Sequence, residues 1–293
     1  MSIENLWKNR KRPTISFEFF PARDEKSAQK LDKVIDALAE LEPDFGSVTF
    51  GAGGSTREGS FQLAQKLKKE KALKVVPYFA AYGLSPDEIL SIVDGYKNLG
   101  VDGLFCVRGD KPMDMEKFKP HPDSFPHASD LLTFVGEHYD FFLGAAGYPE
   151  GHKEAESKEK DLEYLKLKVE KGARFIIAQY VYDNQYFFDF VKKCREIGID
   201  VPIVSGVMPI YSVKMTESLA SLCGATITPQ VRDELAKLPS DDKKAVSEFG
   251  IEFATHQCKE LIQHGVEGIH FYTMDRSKSV VKIVTQLREE GLL

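Results

Sequence analysis

The stretch Ile15-Ser16-Phe17-Glu18-Phe19-Phe20-Pro21 combines β-branched and aromatic residues with one carboxylate and ends on a proline. This composition is typical of a β-strand. Because the side chains of a strand alternate between its faces, Phe17 and Phe19 point to one side and Glu18 points to the other. Large apolar neighbours lie on both sides, so we expect both faces of this strand to be buried.

Glu18 is the residue of this strand that needs an explanation. An ionised carboxylate costs several kcal/mol, roughly, when it is buried without a partner, and burial raises the pKa of such a group toward neutrality. A carboxyl group of this kind suits a general acid that works near pH 7. The structural alternative is an ion pair with Arg23 or with a lysine on a later element, and the sequence leaves both interpretations open.

Outward from this strand, strand-like and helix-like segments alternate along all 293 residues. The other predicted strands cover residues 45–52, 75–79, 104–107, 141–146, 175–182, 202–208 and 268–274. The predicted helices cover 27–41, 58–71, 86–100, a segment from 129, 158–171, 185–197, a region that reaches 264 with breaks near Pro229 and Pro239, and the end of the chain.

Eight strand-then-helix units without a linker indicate a single α/β domain, a (β/α)8 barrel over residues 1–293. The alternative is a doubly wound sheet. No G-x-G-x-x-G follows any predicted strand, and Gly51, Gly53 and Gly54 miss that spacing. The dinucleotide-binding fingerprint of an open sheet is therefore absent from the sequence.

Composition excludes several classes of function. A net charge of −6 argues against a nucleic-acid-binding surface. The four cysteines, Cys106, Cys194, Cys223 and Cys258, form no CxxC or Cys/His cluster, which indicates reduced, buried thiols and no metal site. The N-terminus lacks an apolar core of signal-peptide length, and no run approaches about 18 apolar residues. We therefore expect a cytoplasmic protein without a membrane segment.

Polar side chains follow most of the predicted strands, where the active site of a barrel lies. Taken singly, each of them also has a structural interpretation. The segment Arg108-Gly109-Asp110 is the strongest signal, because an exposed charged pair split by glycine at a strand end suits the binding of a phosphate or a ring. The full set is Glu18, Thr49, Tyr78, Arg108, Asp110, Tyr148, His152, Gln179, Tyr272 and Arg276.

The predicted helix 158–171 carries a second signal. Asp161, Tyr164 and Lys168 share one face of it, and an acid followed by a lysine could bind a ribose hydroxyl and a phosphate. A solvated charged face is the ordinary alternative. The buried stripe of the helix is formed by Leu162, Leu165 and Val169.

Several motifs occur in order along nearly the whole chain. They are Ser16-Phe17-Glu18-Phe19-Phe20-Pro21, Ser47-Val48-Thr49-Phe50-Gly51-Ala52, Arg108-Gly109-Asp110, Gly147-Tyr148-Pro149-Glu150-Gly151-His152, Gln179 and His270-Phe271-Tyr272-Thr273-Met274-Asp275-Arg276. Together these motifs resemble the methylenetetrahydrofolate reductase family. Members of this family are FAD-containing (β/α)8 barrels that reduce 5,10-methylenetetrahydrofolate to 5-methyltetrahydrofolate with NADH or NADPH. The chain is similar to the bacterial form, so we expect one catalytic domain over 1–293 and no regulatory domain.

The resemblance implies roles at the matched positions. Glu18 would be the general acid that opens the five-membered ring of the folate to a 5-iminium cation, and Asp110 would favour that cation by its charge. Gln179 would bind folate and nicotinamide in turn, Tyr272 would lie on the substrate side, and Arg276 would bind the glutamyl end. The implied FAD-binding residues are Thr49, Phe50, Tyr78, Arg108, Gly109, Asp110, His127, Ala128, Tyr148, His152, Asp161, Tyr164 and Lys168.

These roles require hydride to pass from NAD(P)H to the flavin and then to the folate, in ping-pong order on one shared face. The expected partners are therefore small molecules, while a homo-oligomer or a redox partner subunit stays open, as does the choice between NADH and NADPH. Four positions depart from the family pattern. Tyr78 stands where many members have histidine, Tyr164 stands in place of an asparagine, and Met215 and Leu219 replace a glutamine and a phenylalanine.

Two other functions compete with the reductase. Another flavin barrel, similar to proline dehydrogenase, would oxidise a small amine and would give a buried acid no task. A non-catalytic subunit could bind folate or flavin within a larger redox complex. The variant Glu18→Gln separates them, because only a catalytic acid would lose folate reduction while flavin reduction by NAD(P)H is kept.

Overall fold

The structure of the chain is a computed structural model that describes residues 3–8, 10–51, 57–109, 118–239 and 242–293. Its parallel strands pair in chain order, and the last strand pairs with the first, so they close into a barrel. This confirms the predicted (β/α)8 architecture. The strands are β1 (Thr14–Phe19), β2 (Phe45–Val48), β3 (Val75–Ala80), β4 (Leu104–Val107), β5 (Leu143–Gly147), β6 (Phe175–Ala178), β7 (Ile203–Val207) and β8 (Gly268–Phe271).

A helix follows each strand, and two further helices lie between β7 and β8. Pro229 begins the first of these two, as the predicted break requires. The helices are α1 (Glu25–Ala39), α2 (Arg57–Glu70), α3 (Pro86–Leu99), α4 (Ala128–His138), α5 (Lys158–Glu170), α6 (Asn184–Glu196), α7 (Val213–Cys223), α8 (Pro229–Ala236), α9 (Lys243–Gln263) and α10 (Ser277–Glu289).

Local sequence accounts for the ends of α3. Ser85 is the N-cap residue, and its hydroxyl accepts a hydrogen bond from the backbone N–H of Glu88 at 3.2 Å, while the Glu88 carboxylate accepts from the N–H of Ser85 at 2.8 Å. This reciprocal capping box satisfies two donors that a helix start leaves unpaired. The helix ends at Gly100, whose φ of 72° is left-handed and suits glycine.

Several predicted strands extend too far at their carboxyl ends. The ladders of β2, β6 and β8 end at Val48, Ala178 and Phe271, whereas the predictions continue to residues 52, 182 and 274. The apolar and aromatic pattern persists past the last paired residue, but the chain has already turned toward the loops. The fifth strand begins at Leu143 rather than at 141.

Strand β1 is buried on both faces, as predicted. Phe17 and Phe19 pack into the large core between the strands and the surrounding helices. The opposite face points into the barrel, where the Ser16 hydroxyl lies 2.8 Å from Nδ1 of His270 on β8. Glu18 shares this inner face because it lies two residues further along the strand.

Aromatic side chains fill the amino end of the barrel interior. Phe45 on β2 and Phe175 on β6 are in contact, with ring centroids 6.3 Å apart, although their strands lie on opposite sides of the barrel. Trp7 closes this end by stacking on Phe175 at 5.4 Å and on Phe142 at 6.0 Å. Aromatic side chains therefore fill the barrel interior at this end, and we look for the ligand site at the carboxyl ends of the strands.

All four cysteines carry thiols. Cys106, Cys194 and Cys258 are buried as predicted, but Cys223 is partly exposed, because it is the last residue of α7 and the helix ends near the surface there. Within the described ranges, no helix is long and apolar enough to cross a membrane. In the same part of the chain, no three His, Cys, Asp or Glu side chains are grouped so that they could hold a metal ion.

Candidate functional site

The candidate site lies at the mouth of the barrel, which we define as the carboxyl ends of the strands and the loops that follow them. Glu18 is near the end of β1 and only 4% exposed. Burial raises the pKa of its carboxyl to about 8, the hydrogen bond with Tyr78 opposes this rise, and the charge of Asp275 adds to it. Glu18 is therefore mainly protonated at pH 7.

The alternative of a structural ion pair is not what the structure shows. Arg23 is exposed, and its backbone N–H donates to the Ser27 hydroxyl at the start of α1. Among the described residues, no lysine or arginine forms an ion pair with Glu18. The carboxyl group thus meets the requirement of a proton donor rather than that of a structural anion.

Two tyrosines face Glu18 from other strands. The Tyr78 hydroxyl on β3 hydrogen-bonds with Glu18 and with Ser47, and its ring stacks on Phe105 at 4.6 Å. Tyr272, just past β8, hydrogen-bonds with Tyr78. Burial, as the largest cause, raises the pKa of both phenols, so both stay neutral and can donate hydrogen bonds.

The position of Tyr272 depends on a glycine in β7. A Cβ atom at Gly206 would lie 2.6 Å from Cε2 of Tyr272 and 2.3 Å from the carbonyl oxygen of Ala178. Only a residue without a side chain leaves this space, and the Tyr272 hydroxyl then donates to the same carbonyl at 3.4 Å. The glycine therefore lets Tyr272 lie against β6 and β7.

His270 lies one layer below Glu18 in the barrel. Its Nδ1 atom is 2.8 Å from the Ser16 hydroxyl and its Nε2 atom is 3.4 Å from that of Ser47. Burial lowers the pKa of His270 to about 3, so the imidazole is neutral. His270 belongs to one of the motifs but has no role predicted from sequence, and the structure shows it as a neutral hydrogen-bonding residue beneath Glu18.

The turn after β8 closes over the end of β1. The Thr273 hydroxyl donates to the carbonyl oxygen of Glu18 at 2.6 Å, and a carboxylate oxygen of Asp275 accepts from the N–H of Phe20 at 3.2 Å. Arg276 is exposed, with its guanidinium 5.3 Å from the centre of the Tyr211 ring. No role was predicted from sequence for Asp275, although it follows a strand in the same turn as Arg276.

A second polar cluster follows β5. The rings of Tyr148 and His152 meet edge to face at 4.6 Å, and a carboxylate oxygen of Asp161 accepts from the backbone N–H of His152 at 3.1 Å. Lys168 donates to the carbonyl oxygen of Ala146 at 2.8 Å and faces the Tyr148 ring at 5.9 Å. The helix face that carries Asp161 and Lys168 is thus joined to the end of β5.

The charges of this cluster are perturbed by burial. Desolvation lowers the pKa of the Lys168 ammonium to about 8, against the opposing charge of Asp161. Desolvation also raises the pKa of Asp161. Lys168 as a whole residue is partly exposed. Tyr164, predicted to share this face, is 44% exposed, and its assignment to the cofactor stays a prediction.

The loop after β4 begins with Arg108, which pairs with Glu154 through two hydrogen bonds of 2.6 and 3.1 Å. Glu154 was missed by the sequence analysis because nothing in its exposed loop sets it apart. Gly109 has a φ of 91°, and a Cβ there would lie 2.9 Å from that of Ala80, so this position requires a residue without a side chain. Asp110 lies outside the described residues.

The loop after β2 offers a buried hydroxyl. Thr49 is 5% exposed, and within the described part of the chain its Oγ1 atom has no hydrogen-bond partner. The backbone N–H of Thr49 donates to the Phe19 carbonyl oxygen at 3.1 Å, which holds the loop against β1. Phe50 meets Phe79 edge to face at 5.3 Å. An unpartnered buried hydroxyl is expected where a ligand supplies the missing bond.

The remaining predicted residues follow β4 and β6 at the mouth, and among the described residues they form no hydrogen bond with Glu18. His127 is the exposed N-cap residue of α4, and its backbone N–H donates to Asp130 at 3.1 Å, with Ala128 next to it. Gln179, just past β6, is partly buried, and its side-chain oxygen accepts from the Tyr180 N–H at 3.1 Å. The ligand-binding roles of these three residues stay predictions.

Three features of these residues are compatible with the FAD binding that the resemblance implies. Thr49 has a buried hydroxyl without a hydrogen-bond partner in the described part of the chain, Gly109 is partly exposed and has no side chain, and the ammonium of Lys168 is desolvated. Such groups suit ribose hydroxyls and a diphosphate. A separate cavity of about 600 Å³ between α4 and α5 opens beside the amino ends of β5 and β6, away from these groups.

Comparisons with known proteins show the family to which the chain belongs. The family model described as "Methylenetetrahydrofolate reductase" matches residues 3–288. The 5,10-methylenetetrahydrofolate reductase of Escherichia coli strain K12 is 34% identical over 264 residues, which cover 90% of this chain and 87% of that protein. Methylenetetrahydrofolate reductase (NADH) 1 of Arabidopsis thaliana is 33% identical over 283 residues, 93% of this chain. The chain spans about half of the plant protein, 48% of its length.

A solved structure shares the fold. It is an uncharacterized protein from Clostridium thermocellum that binds two copies of 5-methyl-5,6,7,8-tetrahydrofolic acid, with a TM-score of 0.63 and 16% sequence identity. The match covers 99% of this chain and 100% of that chain. At this identity the likeness shows the barrel fold alone.

Proposed function

Because the chain belongs to the methylenetetrahydrofolate reductase family, we propose that it reduces 5,10-methylenetetrahydrofolate to 5-methyltetrahydrofolate with NADH or NADPH and a bound FAD. The observation that carries this proposal is a buried, protonated carboxyl group, that of Glu18, at the mouth of the barrel. The name of the Arabidopsis relative includes NADH, which supports NADH as the donor. The proposed partners are these small molecules.

Glu18 acts as the general acid of the folate step. Its proton passes to the ring nitrogen that leaves, the carbon–nitrogen bond of the five-membered ring breaks, and the electron pair of that bond goes to the leaving nitrogen. The other nitrogen then forms the 5-iminium cation. The Glu18 carboxylate left behind lies in a site of low polarity, where its negative charge favours the cation. A carboxyl group with a pKa of about 8 holds its proton at pH 7 and gives it up when a basic nitrogen arrives.

Tyr78 orients this acid. In this chain its hydroxyl hydrogen-bonds with Glu18, so the tyrosine found in place of the family's usual histidine supports the proton donor as well as the cofactor side that the resemblance implies. Tyr272 hydrogen-bonds with Tyr78 and extends this support to β8. The two neutral phenols hold the Glu18 carboxyl without adding a charge.

The ends of the folate are assigned to residues on other loops. The amide of Gln179 binds the folate or the nicotinamide in turn, since both ligands use the same face. The exposed guanidinium of Arg276 suits the carboxylates of the glutamyl end, because arginine binds a carboxylate through two parallel hydrogen bonds. Asp110, as a second carboxylate, favours the cationic folate by its charge.

When bound, FAD supplies the carrier that takes hydride from the nicotinamide and passes it to the folate. Lys168 and Asp161 hold its phosphate and ribose groups, with Tyr148 and His152 beside them. Thr49 binds FAD through its hydroxyl group, and Gly109 binds it through its backbone, which carries no side chain. The remaining residues assigned to FAD are Phe50, Tyr78, Arg108, Asp110, His127, Ala128 and Tyr164.

The test is an anaerobic two-step measurement on wild-type protein and Glu18→Gln. NADH is added first and flavin bleaching is followed, and 5,10-methylenetetrahydrofolate is then added and reoxidation is followed. We expect Glu18→Gln to keep the first step and to lose the second by about 100-fold to 10,000-fold, the range for a general acid. The matched control Glu137→Gln makes the same change on an exposed residue and should keep both steps.

Each outcome decides one part of the proposal. Full folate turnover by Glu18→Gln would show that Glu18 is not the acid. A wild-type protein that neither contains FAD nor binds it when it is added would overturn the cofactor assignment. A protein that is bleached by NADH but ignores folate would overturn the reductase assignment and favour another flavin barrel.

A further inference from the structure

A second carboxylate, that of Asp275, is hydrogen-bonded to the backbone close to Glu18. One of its oxygens accepts from the N–H of Phe20 at 3.2 Å. The N–H of Asp275 donates to the Thr273 hydroxyl at 3.2 Å, and that hydroxyl donates to the Glu18 carbonyl oxygen at 2.6 Å. Two hydrogen bonds from one turn thus fix the backbone that follows the Cα atom of Glu18, at the Glu18 carbonyl oxygen and at the N–H of Phe20.

The turn that carries Asp275 is strained. Met274 and Asp275 have φ values of 49° and 52°, which lie in the left-handed region that residues with a Cβ seldom adopt. Each such residue costs about 1 kcal/mol or more. A strained pair persists where surrounding contacts fix it, and here these contacts are the bonds to β1. Strain of this kind is common beside functional groups.

The charged and titratable groups around the two acids are few. Glu18 faces Tyr78 from β3, Tyr272 from the end of β8 and Asp275 from the turn. The charge of Asp275 acts on Tyr211, and Asp275 is next in sequence to Arg276, whose guanidinium lies 5.3 Å from the centre of the Tyr211 ring. Among the described residues no cation forms an ion pair with Asp275.

The two carboxyl groups hold their protons at different pH values. Burial raises the pKa of Asp275 to about 6, while the hydrogen bond from Phe20 opposes the rise. The pKa of Glu18 is about 8. Near pH 7 Asp275 is therefore mainly an anion beside a protonated Glu18. An anion raises the pKa of a neighbouring acid.

We propose that Asp275 is a positioning residue of the folate step, which holds the β1 backbone under Glu18 and uses its negative charge to keep the proton on Glu18. This inference rests on the proposed role of Glu18 as the acid. It assigns two separable contributions to one side chain. The hydrogen bond to Phe20 fixes the backbone beside Glu18, and the charge of Asp275 sets the pH range in which Glu18 is protonated.

The variant Asp275→Asn separates the two contributions. Asparagine keeps an oxygen that accepts from Phe20 and has nearly the same shape, but it carries no charge. Infrared titration of the full-length protein follows the carboxyl band of protonated Glu18, which is identified by its absence from Glu18→Gln. We expect the titration midpoint of this band to fall to a lower pH in Asp275→Asn, because the anion that favours the protonated form of Glu18 is removed.

The same shift should appear in the folate step. In Asp275→Asn the alkaline limb of the rate of flavin reoxidation by 5,10-methylenetetrahydrofolate moves to lower pH by the same amount, while flavin reduction by NADH keeps its rate and its pH profile. The matched control is Asp140→Asn, which removes the same charge from an almost fully exposed side chain before β5. It should leave both profiles unchanged.

The outcomes distinguish this inference from the proposed function. An unchanged Glu18 midpoint in Asp275→Asn, with Glu18→Gln still unable to reduce folate, would overturn the role of Asp275 alone. Full folate turnover by Glu18→Gln would instead overturn the acid itself. If Asp275→Asn does not fold, Asp275→Ser removes the same charge from a smaller side chain, and an unchanged midpoint there overturns the inference equally.

Discussion

Replacing Glu18 by glutamine is expected to raise the free energy of unfolding, and to raise it more as the pH increases. The reason is that the folded protein holds the Glu18 proton in a buried site, where the carboxylate is poorly solvated. The unfolded chain releases the same proton at the ordinary pKa of a glutamate. Glutamine has nearly the same shape and never ionises, so it removes this difference between the two states.

The size of the effect follows from the two pKa values. The carboxyl of Glu18 has a pKa of about 8 in the folded protein and an ordinary value of 4.5. Below pH 4.5 both states are protonated and the difference is zero. Between these values only the unfolded state loses the proton, so wild-type stability falls by about 1.4 kcal/mol per pH unit. The loss is about 3 kcal/mol at pH 7 and about 5 kcal/mol above pH 8.

The measurement is urea unfolding of wild-type protein and Glu18→Gln at pH 5, 7 and 8.5. Fluorescence of Trp7, the single tryptophan of the chain, reports the opening of the barrel because its indole stacks on Phe142 and Phe175. FAD is kept at one saturating concentration in all samples, since a ligand that binds only the folded state adds to its stability.

The increase with pH is the test, because a constant difference could come from altered packing or hydrogen bonding. The control Glu137→Gln makes the same chemical change on an exposed helix residue and serves to subtract the effect of net charge. If the advantage of Glu18→Gln over wild type were the same at pH 5 and pH 8.5, Glu18 would be ionised in the folded protein. The reasoning about its proton would then be refuted.

Two further substitutions test the cofactor side and the mouth of the barrel. Lys168→Met should weaken FAD binding by roughly 10-fold to 100-fold, the effect of one charge-assisted hydrogen bond. The affinity of the wild-type protein for FAD should also fall above pH 8, because the Lys168 ammonium has a pKa of about 8. Quenching of flavin fluorescence measures both effects, and equal FAD affinities of Lys168→Met and wild type would contradict the assignment. Gly206→Ala should lower the free energy of unfolding by about 1–3 kcal/mol through overpacking, because the new Cβ would lie 2.3 Å from the carbonyl oxygen of Ala178 and 2.6 Å from Cε2 of Tyr272. Urea unfolding measures this change, and unchanged stability would show that both the β6 backbone and Tyr272 shift without cost.

Local patterns in the sequence are sufficient to predict the strand–helix units of the barrel. The Ser85-Pro86 start and the Gly100 end of α3 are read directly from residues that cap helices. Strand ends are less well defined by sequence, since the apolar pattern of β6 and β8 continues past the last paired residue. A ladder ends where the backbones of neighbouring strands diverge, and that depends on both strands.

The rule that active sites lie at strand ends identifies Glu18, Tyr78 and Tyr272 as candidates from sequence, and the structure places these three side chains together. The same rule did not find Glu154 or the role of Asp275. Glu154 pairs with Arg108 across 46 positions, and Asp275 reaches Phe20 across 255 positions. Closure of the barrel brings these pairs together, and no local pattern encodes it.

The sequence by itself determined the order of strands and helices, the burial of β1 on both faces and the placement of a carboxyl group at its end. Only the tertiary structure decided the protonation of that carboxyl. The pKa of Glu18 depends on the exclusion of water by the closed barrel and on Tyr78 and Asp275, which arrive from β3 and from the turn after β8. A pKa is a property of the whole surroundings of a group, so distant segments must fold together before Glu18 becomes a proton donor at pH 7.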